Sequence, residues 1–150
     1  MPKYQTIKTF GNDRGLSCAF RQWRATHSHC KENHGYALGA EFVLECETLD
    51  DRNWCYDYGS FKEVKKFLEE NFDHKTCVAA DDPELEWFKE GEARGTLKLN
   101  IFDDGVGCEK FAEYIYNYAD KHITTITNGR VKLISVKVFE HGANAAVYFG

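Results

Sequence analysis

The chain has 150 residues and a net charge of -5, with 43% hydrophobic and 29% charged residues, a balance that excludes a disordered tail and fits one domain, 1–150, around a buried core. Acidic and basic residues are interspersed without a basic stripe, which argues against nucleic acid as a partner. The polar opening MPKYQTIKTF and the lack of a long apolar run argue against an export signal or membrane span, so a soluble, cytoplasmic protein with six free cysteines is expected.

Alternation of apolar and polar residues predicts strands at Tyr4–Phe10 and 16–23, joined by the turn-rich GNDRG, and a third over 36–48, YALGAEFVLECET. A helix is expected over 60–71. Ser60 and Glu63 fit a capping box, and Phe61, Val64, Phe67 and Leu68 share a face. The stretch NFDHKTCVAADDPELEWF reads as a loop or broken segment. TLKLNIF (96–102) alternates as a strand, and DDGVG leads into a second amphipathic helix from Cys108 to about His122. VKLISVKVFE and NAAVYF, separated by HGA, form a terminal hairpin.

That order is α+β, with two helices covering one face of an antiparallel sheet. Eleven Phe, eight Tyr and three Trp exceed what a thin core needs. Many of these rings are expected on the sheet's uncovered face, where further subunits would bury them.

The stretch THSHCKENHGY (26–36) concentrates candidate chemistry. Cys30 and His34, four residues apart, suit a thiol activated by a nearby imidazole, or equally a loop cysteine beside solvated histidines. His27, His29 and His34 supply three imidazoles, a ligand set known for catalytic zinc, although surface histidines have the same spacing. Asp73 beside His74 can fix a tautomer and raise its basicity. Glu140 ends the apolar run VKVFE, where a carboxylate can accept from paired N–H donors of a heterocycle.

Six motifs collect these residues in order. CAFR (18–21) is similar to a strand motif ending in Ala-His-Arg, and CKENHGY (30–36) to a catalytic cysteine followed by His-Gly-His. DYGSFK (57–62) resembles an aspartate and lysine at a first helix, and FDHK (72–75) a Leu-Asp-His motif. CEKFAEYIY (108–116) is similar to a Thr-Glu pair opening a second helix, and VKVFEHGANAAVYF to a final hairpin with its glutamate. Together they resemble the 6-pyruvoyl-tetrahydropterin synthase family, which includes the 6-carboxytetrahydropterin synthases of queuosine precursor synthesis.

The resemblance implies the tunnelling fold: an antiparallel sheet with two helices on one face, its subunits closing into a barrel as a homo-oligomer, a trimer or hexamer. It implies a carbon–oxygen lyase that removes triphosphate from 7,8-dihydroneopterin triphosphate and rearranges the side chain. Cys30 would be the proton-abstracting thiolate, with Asp73 and His74 as its acid/base partners. Glu140 would anchor the pterin ring, and Glu109 is the retained half of the Thr-Glu pair. The family holds zinc with three histidines, whose positions fall at Phe20, His34 and Tyr36. Two of the three are replaced, so zinc binding is expected to be weak or absent unless His27 and His29 substitute. The alternative is a tunnelling-fold protein that binds a pterin or purine without the zinc-dependent lyase activity.

Overall fold

The computed structural model describes residues 2–150. Its elements are β1 (Tyr4–Phe10), β2 (Leu16–Phe20), β3 (His34–Cys46), α1 (Lys62–Phe72), β4 (Lys75–Ala79), α2 (Leu85–Ala93), β5 (Leu99–Phe102), α3 (Cys108–Thr127), β6 (Val131–His141) and β7 (Asn144–Tyr148). The strands form one sheet in the order β5-β4-β2-β3-β6-β7. The thirteen-residue β3 is long enough for two partners on the same side. Its first half pairs with β2 and its second half with β1, both antiparallel.

The even-numbered residues of β3 from Leu38 to Cys46 are all buried, as a strand facing helices on one side requires. They share one core cluster with the buried residues of α1 and α3. Helix α3 presents Phe111, Ala112, Ile115, Ala119 and Ile123 to the sheet, the three-four spacing of one helical face. It closes on Asn128 in the left-handed conformation, with the Gly129 amide donating to the Thr124 carbonyl at 3.0 Å. Phe20, Phe42, Phe61, Phe72 and Phe111 are each under 2% exposed. Burial of each such side chain is worth about 2–3 kcal/mol.

Several expectations are corrected. The segment read as a loop contains β4 and the first turn of α2, so the sheet is mixed: β4 pairs parallel with both β2 and β5. A strand between two parallel neighbours is buried on both faces and loses the alternation that identifies a half-buried strand. Thr76, Cys77, Val78 and Ala79 are accordingly all buried. The third helix, α2, packs against β4 and β5 and buries Phe88. Helix α1 is introduced by a 3-10 turn capped by Asp57, whose carboxylate accepts from the Gly59 amide at 2.9 Å, in place of the expected Ser60–Glu63 box. Strand β2 ends at Phe20, short of residue 23, and α3 runs to Thr127, beyond His122.

The rings also lie elsewhere than expected. Opposite the α1/α3 face, paired strands bring together Gln5 with Glu45, Ile7 with Val43, Thr9 with Glu41, and Glu41 with Lys137. That face is mixed in charge, and the aromatic side chains cluster with the helices: Phe10 on Phe42 and Phe61, and Phe72 on Phe102 and Phe111. No helix among the described residues is long and apolar enough to cross a membrane. All six cysteines are free.

Candidate functional site

Antiparallel pairing of β2 with β3 places Phe20 opposite His34 and Cys18 opposite Tyr36. Three rings meet there. Phe20 and Tyr36 stack with centroids 4.2 Å apart and planes at 15°, and His34 lies 4.5 Å from Tyr36. Phe111 of α3 meets Phe20 edge-on at 5.0 Å, fixing it from the core side. The His34 Nδ1 lies 2.9 Å from the Glu32 carbonyl. A carbonyl only accepts, so Nδ1 carries the proton and Nε2 is left as an acceptor.

The loop between β2 and β3 holds Cys30 at this end of the sheet. Ser28 Oγ accepts from the Cys30 amide at 3.1 Å, and the Gln22 amide donates to the Cys30 carbonyl at 2.7 Å. Arg21 braces the loop from behind. Its guanidinium forks onto Asp82, Nε to Oδ2 at 2.9 Å and Nη2 to Oδ1 at 2.6 Å, while Nη1 donates to the Lys31 carbonyl at 3.0 Å. Asp82 also accepts from the Glu84 amide at 2.8 Å. The hydrogen-bonded Asp82 carboxylate raises Arg21 above its ordinary pKa. Cys30 is half-buried and the other five cysteines are buried.

Glu140 on β6 lies beside the strand that carries Tyr36, its carbonyl sharing Asn12 Nδ2 with that of Ala37, and Cys108 opens α3. Burial pushes Tyr36 up to about 12, and Glu140, Cys30, Cys108 and Cys18 all surround it closely enough to add to that rise. Cys108 is pushed up to about 12 by burial first, then by Glu140 and Glu109. Both groups are therefore neutral at physiological pH, a phenol and a thiol rather than their anions. Glu109 is exposed at the first turn of α3.

The fold does not bring Asp73 and His74 to this cluster within one chain. Asp73 Oδ1 accepts from the Ser17 amide at 3.0 Å and lies 3.1 Å from His74 Nδ1, while the His74 amide donates to the Ser17 carbonyl at 2.6 Å. Ser17 stands near the start of β2 and Gln22, bound to Cys30, lies beyond its end. Five extended residues span roughly 16 Å, so the aspartate–histidine pair and the thiol occupy opposite ends of one strand. His74 has φ 58, a left-handed conformation that turns α1 sharply into β4, and its imidazole is 83% exposed. His27 and His29 are exposed in the loop, His29 with only Glu32 at 3.9 Å.

A family model described as 6-pyruvoyl tetrahydropterin synthase matches residues 11–150. The chain belongs to this family. A 6-carboxy-5,6,7,8-tetrahydropterin synthase from Aquifex aeolicus is 25% identical over 121 residues, covering 79% of this chain and 75% of that protein. Among solved structures, an uncharacterized protein from Wolinella succinogenes superposes with TM-score 0.83 at 17% identity, over 100% of this chain and 99% of its own. The 6-pyruvoyltetrahydropterin synthase from Plasmodium vivax superposes with TM-score 0.70 at 12% identity, over 99% and 98%. At these identities the superpositions establish the shared fold.

Among the described residues no three His, Cys, Asp or Glu side chains come together in a metal-holding group. At the three positions that resemble the family's ligands, Phe20 has no donor atom, Tyr36 keeps its proton, and His34 alone offers a nitrogen. A three-imidazole zinc site does not fit these residues. Asp82 gave no signal in the sequence, because Asp-Asp-Pro reads as an ordinary turn; its pairing with Arg21 is visible only in the fold.

Proposed function

We propose that this protein is a pterin-acting carbon–oxygen lyase of the family type, with 7,8-dihydroneopterin triphosphate or a close relative as its substrate. The family match over residues 11–150, with Cys30 in the loop that leads into β3 and the Glu140 carbonyl tied through Asn12 Nδ2 to that of Ala37, next to Tyr36, carries this reading. Glu140 would accept from the paired N–H groups of the pterin ring, and Cys30 would stand as the base at the side chain. Asp73 and His74 would reach the thiol of another copy of the chain. The outer edges of β1 and β7, each paired on one side only, offer the backbone donors and acceptors for closing copies into a barrel.

A second reading is favoured by the Phe20–Tyr36 stack: a protein that binds a pterin or purine and does not perform the zinc-dependent reaction. One experiment separates the two. Purified protein is incubated with dihydroneopterin triphosphate, with and without added zinc, and triphosphate release is measured beside pterin binding. Release that disappears in Cys30→Ala supports the lyase; absence of release in both conditions refutes it, and binding in that same sample supports the second reading. Light scattering should give a trimer or hexamer, and a monomer at micromolar concentration would refute the barrel.

A further inference from the structure

The three positions that correspond to the family's metal ligands still converge, although two of them hold side chains that do not ligate zinc. His34, Tyr36 and Phe20 project from paired strands to one side, with ring centroids 4.2 and 4.5 Å apart about Tyr36. Phe20 is 1% exposed and is itself fixed by Phe111. Tyr36 is the middle, half-buried member, between buried Phe20 and exposed His34, a rigid phenol laid on a fixed ring. Its hydroxyl makes no hydrogen bond to another described residue, like those of Tyr4, Tyr118 and Tyr148 and unlike those of Tyr56, Tyr58, Tyr114 and Tyr116. Nor is it sealed away, since the lone fully buried, unpartnered side-chain atom among the described residues is His122 Nε2. A half-buried phenol with an open donor, on the strand whose Ala37 carbonyl shares Asn12 Nδ2 with that of Glu140, is placed to donate to an oxygen of a ligand bound at this end of the sheet.

We propose that Tyr36, held by its stack on Phe20, donates a hydrogen bond to a side-chain oxygen of the bound heterocycle. The proposal rests on the pterin reading above. Tyr36 is then a specificity-determining residue that distinguishes a heterocycle carrying a hydroxylated side chain from one carrying an alkyl group. Binding is independent of metal, because a neutral donor supplies the contact. Removing one such hydrogen bond weakens binding by roughly three- to ten-fold, and it acts on the oxygenated ligand alone.

The test uses chelator-treated protein and two probes, 7,8-dihydroneopterin and 6-methyl-7,8-dihydropterin, which share the ring and differ in side-chain oxygens. Calorimetric titration of the unsubstituted protein should give tighter binding of dihydroneopterin, unchanged by added zinc. Tyr36→Phe keeps the ring on Phe20, so the fold is retained. It should weaken dihydroneopterin about three- to ten-fold and leave the methyl probe as it was. Equal affinity of Tyr36→Phe and the unsubstituted protein for dihydroneopterin would overturn the proposal while leaving the pterin reading intact. Tightening by zinc in the unsubstituted protein would overturn it as well. Failure of the unsubstituted protein to bind either probe would overturn the pterin reading and this proposal with it.

Discussion

Asp82→Ala isolates the brace behind the Cys30 loop. The Asp82 side chain is 1% exposed and that of Arg21 20% exposed, so the substitution leaves a guanidinium largely out of water with its two shortest hydrogen bonds gone. Removing one member of a buried pair costs about 3–5 kcal/mol, because the remaining charge is uncompensated. For a domain of this size each kcal/mol lowers the melting temperature by about 2–4 °C, so the fall should be about 6–20 °C. Circular dichroism melts at neutral pH measure it. Hydrogen exchange should accelerate at residues 22–31, which lose the Arg21 fork and with it the contact to the Lys31 carbonyl. Arg21→Lys keeps the charge but replaces a rigid fork by a point donor, and should fall between. A melting temperature of Asp82→Ala within about 3 °C of the unsubstituted protein would refute the reasoning.

A thiol reagent should modify one cysteine rapidly in the native chain, Cys30, and the remaining five only after unfolding; Cys30→Ser should abolish the fast phase. Tyr36, Cys55, Tyr56 and Cys108 hold their protons to about 12 in the fold, against ordinary values of 9.0 and 10.0. Above about pH 9 the unfolded chain therefore binds fewer protons than the folded one, and stability should decline as pH rises from 9 to 12, read as falling melting temperatures. His74→Gly should leave stability within about 1 kcal/mol of the unsubstituted protein, on the stabilising side, since it relieves a left-handed φ and removes an exposed ring; a large drop in denaturant midpoint would make that imidazole structural. Gly39→Ala drives a methyl group into the Phe139 ring and should cost about 1–3 kcal/mol, recovered in part when combined with Phe139→Ala.

Local pattern was enough wherever an element is buried on one side only. Strand β3, the β6–β7 hairpin and helices α1 and α3 each carry a period of two or 3.6 that one buried face imposes. The cysteine, histidine and glutamate positions were legible for a different reason, as motifs in a recognisable order. Strand β4 was not legible, because two parallel neighbours erase its alternation, and α2 followed it into the unread segment. The destination of the aromatic residues was likewise undecided by composition: a ring suits either face of a sheet, and the packing of α1 and α3 is what draws them inward.

For the site, the sequence by itself determined which side chains exist, and hence that two of three family ligand positions hold rings without a zinc-binding nitrogen. Tertiary structure decided their relations. Strand register set Phe20 against His34 and Tyr36, the pairing of β6 with β3 brought Glu140 beside the strand that carries Tyr36, and the length of β2 separated Asp73 and His74 from Cys30. Such neighbours are far apart along the chain, and only the closing of loops around a common core brings them into contact or keeps them apart.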